Sequence, residues 1–151
     1  GHPSDKRQYT RIVVKRPVQF LPIVDDVSCM GVEDGMLWDL SETGALITVT
    51  LPRELYDYLH RNPSPCHLRF RDEPGLPRRV HARTVWLRSI IAAKDKLTCR
   101  MGLQFEDVDP AERAKIRLYL EHAAAEQGLL LQERVLEGVP EPPTPETQSD
   151  V

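Results

Sequence analysis

The chain has 151 residues, 40% of them hydrophobic, which suits one domain with a modest core and terminal extensions. No apolar run approaches the ~18 residues that a membrane-crossing helix needs, and the N-terminus is polar and charged rather than signal-like. Three widely spaced cysteines, Cys29, Cys66 and Cys99, argue against a disulfide framework or a zinc site built from close Cys pairs, and point to reduced thiols in a cytoplasmic protein.

The first eleven residues read as a flexible basic arm, residues 1–11. Across residues 1–16, Lys6, Arg7, Arg11, Lys15 and Arg16 face a single acid, Asp5, although the chain as a whole carries a net charge of −3. Such an arm suits an anionic ligand or partner, and it equally suits a solvated terminus. From Ile12 to Val24 the residues are β-branched and aromatic with period-two stretches, which predicts a strand. Pro17 and Pro22 predict an edge or a bulge within it. Asp25-Asp26 predicts a turn, and Cys29–Trp38 a return strand. Asp39–Gly44 reads as a turn, and Ala45–Thr50 is the clearest strand in the chain. Leu55, Tyr56 and Leu59 have helical spacing within Pro52–His60. Further strands are predicted over Cys66–Arg71, Arg79–Ile90 and Leu97–Phe105, with a Pro/Gly turn at Asp72–Pro77.

The period then changes. Asp109-Pro110-Ala111-Glu112 combines a capping Asp, Pro at the first helical position and Glu three residues after the cap. Ile116, Tyr119, Leu120 and Ala123 form one apolar face. Gly128 is expected to end this helix, so that residues 12–127 make the barrel and helix and residues 128–137 a separate apolar helical extension. Residues 138–151, rich in Pro and Glu, read as a disordered tail. Several short strands followed by a helix predict a mainly β domain, a closed or nearly closed antiparallel barrel with a helix over an end or side.

The chemistry-bearing patterns are few. There is no glycine-rich dinucleotide loop, no phosphate loop, no His-Glu-x-x-His and no Gly-x-Ser-x-Gly. The five histidines are scattered. No catalytic constellation appears, so neither an enzyme nor a metal centre nor a cofactor is expected. Arg7-x-x-x-Arg11 says little alone, because Arg79/Arg83 and Arg113/Arg117 repeat its spacing. Asp39-x-Ser41-x-x-Gly44 is more selective, although the same residues also suit an ordinary Asx/Ser turn.

Taken in order, the arginine pair before the first strand, the Asp39/Ser41/Gly44 turn one hairpin later, and Gly102-Leu-Gln-Phe105 running into the capped helix resemble the PilZ domain family over residues ~6–125. The resemblance implies a six-stranded antiparallel β-barrel with a C-terminal α-helix. It also implies a receptor for cyclic di-GMP, in which the arm wraps over the face carrying the Asp/Ser/Gly turn. Arg7 and Arg11 would then meet Asp39, Ser41 and Gly44 across the ligand. Lys6 could add a phosphate contact, and Trp86 matches the position of a residue that touches guanine in some members. A strand Trp is also a common core residue. The physical chemistry is compatible with this. A guanidinium bonds phosphate oxygens and the guanine O6/N7 edge bidentately, and a carboxylate accepts from guanine N–H groups. A ligand-independent interaction module is the alternative: the apolar segment Leu129–Leu136 could bind a protein partner or a second copy. Polymeric nucleic acid is not expected, since one short basic arm lacks an aromatic platform.

Overall fold

The computed structural model describes residues 11–24, 27–28 and 32–136, the side chains of 27–28 and 129–136 excepted. Strands β1 (Ile12–Val24), β2 (Val27–Ser28), β3 (Glu33–Leu40) and β4 (Gly44–Pro52) lead into helix α1 (Arg53–Arg61). Strands β5 (Pro65–Phe70), β6 (Arg79–Ala92) and β7 (Lys96–Phe105) and helix α2 (Pro110–Leu136) follow. The pairing order β1-β3-β4-β7-β6-β5 returns to β1 through a β1–β5 ladder. Six antiparallel strands therefore close into a barrel, and the two-residue β2 is an appendage on β1.

The prolines of β1 show how closure is achieved. Pro cannot donate to a ladder. Pro17 lies where β1 pairs with β3 but not yet with β5, and Pro22 where it pairs with β5 but no longer with β3. β1 is not an edge strand, yet each Pro sits at a position with one neighbour. A bulge between Val13 and Arg16 is the other irregularity, with Lys15 at φ 55.

Alternation fills the interior. Phe20, Leu37, Ile47, Leu51, Leu68, Val80 and Met101 point inward and are fully buried. Leu59 of α1 and Ile116 and Leu120 of α2 join this cluster. Asp109 Oδ1 accepts the Glu112 N–H at 2.8 Å, the expected cap of α2. The helix then runs unbroken through Gly128, which does not end it, so the expected boundary between residues 127 and 128 falls inside one helix of 27 residues. A single glycine costs only about 1 kcal/mol relative to Ala in a helix interior. No helix among the described residues is long and apolar enough to cross a membrane. The arm up to Thr10, Cys29 and the acidic tail lie outside the described residues.

Candidate ligand-binding groove

The turn expected at Asp39–Gly44 is tighter than the sequence reading: Asp39 belongs to β3 and Gly44 to β4, leaving only residues 41–43 between strands. Ser41 organises that connection. Its backbone N–H donates to the Gly44 carbonyl at 2.9 Å, and its Oγ accepts the N–H groups of Thr43 (3.2 Å) and Gly44 (3.1 Å). The Ser41 side chain is thus first a fastener of the turn. Its own proton has only long contacts, to Gly44 O and Thr43 Oγ1, both at 3.4 Å.

A bulge between Leu37 and Asp39 re-aims the end of β3. Asp39 pairs across to Leu46 and Val13 and is 6% exposed. One Arg11 guanidinium nitrogen, Nη1, stands 3.6 Å from Asp39 Oδ1, an ion pair beyond hydrogen-bond distance. Both atoms are buried and lack a hydrogen-bond partner among the described residues. Burial pushes the Asp39 pKa up from its ordinary value, with Arg11 and then Arg100 pulling the other way. Desolvation outweighs ion pairing here, as expected for a charge whose hydrogen bonds are not satisfied.

In front of this pair lies a groove of about 210 Å³, lined by Arg11, Ser41, Thr43, Gly44, Ala45, Val85, Trp86, Gly102, Leu103 and Gln104. Two glycines make its floor. A Cβ on Gly44 would fall 2.3 Å from the Leu103 carbonyl oxygen, and one on Gly102 would fall 2.3 Å from Trp86 Nε1. Gly44 is needed for close strand approach, not for a left-handed turn. Gly102 is needed because the Trp86 indole lies across it. Trp86 is only half-buried and borders the groove instead of filling the core. Val85, in a bulge of β6, is 52% exposed beside it.

Four of the expected site residues therefore line one groove: Arg11, Ser41, Gly44 and Trp86. Asp39 stands beside Arg11, while Lys6 and Arg7 lie outside the described residues. Thr43, Ala45, Val85, Gly102, Leu103 and Gln104 were not anticipated as lining residues. Period two on β7 would have found two of them, since Arg100, Gly102 and Gln104 share the outer face. The groove is smaller than the ~300–1,000 Å³ typical of small-molecule sites, so these residues alone enclose only part of a dinucleotide-sized ligand.

Fold and site together define a closed β-barrel that presents a groove of mixed polar and apolar lining, glycine-floored, beside a half-buried Arg11 and a buried Asp39. The family profile of the PilZ domain matches residues 5–122, and the chain belongs to that family. Among solved structures, it is similar to the PilZ domain of YcgR from Escherichia coli with cyclic di-GMP, at 20% identity and TM-score 0.55, covering 82% of this chain and 97% of that one. It is also similar to MrkH, a cyclic di-GMP-dependent transcription regulatory factor, at 10% identity and TM-score 0.51, covering 77% of this chain and 50% of that one. No curated protein matches the chain.

Proposed function

We propose that this domain is a cyclic di-GMP receptor. The observation that carries the reading is the Arg11–Asp39 pair, whose facing atoms are buried at the edge of the groove and have no hydrogen-bond partner among the described residues. A fold that only had to be stable would bond or remove such atoms. A guanine offers what they lack. Its N1–H and N2–H edge can donate to Asp39, and its O6/N7 edge or a phosphate can accept from Arg11. Trp86, across Gly102, offers a stacking surface for a base. Arg7 and Lys6 are proposed to complete the enclosure from the arm, and Ser41 to turn its proton toward the ligand. The YcgR domain holds cyclic di-GMP and MrkH depends on it, which supports the assignment.

Ordering of the arm over the groove is then the proposed output, altering the surface seen by a protein partner or a second copy. The unbroken α2 favours a role in that step. It is tied to both halves of the site: Arg117 donates to Glu42 of the Ser41–Thr43 turn at 3.2 and 3.3 Å, and Gln127 Nε2 donates to the Val13 carbonyl at 2.7 Å. A calorimetric titration with cyclic di-GMP tests the receptor reading. Wild type should bind, and Arg7→Ala and Arg11→Ala should each weaken binding at least about tenfold, the equivalent of one lost charge-assisted bond. Absence of wild-type binding, or full affinity in both variants, would overturn it.

A further inference from the structure

Two arginines stand directly opposite one another on the outer face of the barrel, next to the groove. The β6–β7 register pairs Arg88 with Arg100. Like charges in directly opposed positions of a sheet destabilise it. Here neither guanidinium lies within 4 Å of an acidic side chain among the described residues, a state shared with other arginines such as Arg53 and Arg79; what distinguishes Arg88 and Arg100 is that they oppose each other beside the groove. Both arginines are solvent-exposed.

The surroundings add a hydroxyl and an aromatic ring. Arg100 pairs on its other side with Thr48. The Thr48 hydroxyl accepts the Trp38 Nε1–H at 2.8 Å, which leaves its own proton free to donate outward. Arg88 lies over the Trp86 ring, its Cζ 5.8 Å from the ring centre, and so stands at the rim of the groove that Trp86 lines. Arg100 is two residues from Gly102 of the groove floor, about 6.8 Å along the strand. Its charge is felt at Asp39.

We propose that Arg88, Arg100 and the Thr48 hydroxyl form a phosphodiester subsite contiguous with the groove. It takes either the far phosphate of one bound cyclic dinucleotide or a phosphate of a second copy stacked on the first. The inference rests on the receptor reading and extends it. Two opposed guanidiniums repel one another in the free protein. An anion placed between them converts that repulsion into two charge-assisted contacts. The groove lined by the described residues encloses only part of a dinucleotide, and this ladder offers a cationic surface beside it for the remainder.

The test is calorimetric titration of wild type, Arg88→Gln, Arg100→Gln and the double variant with cyclic di-GMP, with Arg11→Ala as reference and a thermal melt of each. The double variant should bind at least about tenfold more weakly at unchanged stoichiometry if the subsite grips a single ligand. It should drop from two ligands to one if the subsite holds a second copy. Either result supports the subsite. The single variants should melt no lower than wild type, because a like-charge pair has been relieved. Wild-type affinity and stoichiometry in the double variant, with Arg11→Ala still impaired, would overturn the subsite and leave the receptor intact. A binding loss matched by a lowered melting temperature would overturn it by assigning the arginines to the fold. Failure of wild type to bind would overturn both readings.

Discussion

Asp39 is held dry beside a guanidinium that it does not reach within hydrogen-bond distance, and the energetic consequence follows from its pKa. Burial raises that value above 3.8, the value the group has in water, against the opposing pull of Arg11 and Arg100. The sign is that of a destabilising group: above its folded pKa the anion subtracts stability, and the deficit is relieved as pH falls through that pKa. A ligand that donates to the carboxylate favours the anion, so binding in acid must first expel a proton. Cyclic di-GMP affinity should therefore be flat at pH values well above the Asp39 pKa of the free protein. It should fall by up to about tenfold per pH unit once pH drops below the Asp39 pKa of the free protein. Calorimetry from about pH 7 down to about pH 4 would show this. Affinity in Asp39→Asn should lack that limb, and an identical acid limb in the variant would assign the effect to another group.

At the scale of elements, the site depends on three strands meeting closely at β4, β7 and β6. Gly44 abuts the Leu103 backbone, and Gly102 abuts the Trp86 side chain. A backbone neighbour cannot yield, whereas an indole can rotate. Gly44→Ala should cost about 1–3 kcal/mol of stability. Gly102→Ala should cost less but push Trp86 off the groove and lower ligand affinity. Chemical denaturation and a titration of both variants separate the two effects, and full affinity in Gly102→Ala would remove Trp86 from the site. The strand carrying Gly102 was legible in the sequence, as was the motif turn, because local alternation and turn chemistry report them. Trp86 lying across Gly102 was not, because it depends on a bulge between Thr84 and Trp86 that shifts the β6–β7 register. The single-sided positions of Pro17 and Pro22 were equally hidden, since they depend on where two partner strands begin and end.

For the whole molecule, a mainly β barrel with a capped C-terminal helix was legible from strand periodicity and the Asp109-Pro110 helix start. Closure through β1–β5 was not legible from periodicity, because pairing between strands some fifty residues apart, such as Phe20 with Leu68, leaves no local signature. Nor was the continuity of α2 at Gly128, where tertiary and neighbouring helical context outweighs one glycine. The apolar core of the barrel does not include the Arg11–Asp39 pair, so that pair is a local expense that the fold carries for binding. The most direct measurement is a calorimetric titration of wild type and Asp39→Asn with cyclic di-GMP at neutral pH, each paired with its melting temperature. The account predicts binding by wild type, at least about tenfold weaker binding by Asp39→Asn, and a variant that melts no lower than wild type. A variant that keeps full affinity, or that loses binding only because it melts earlier, would contradict it.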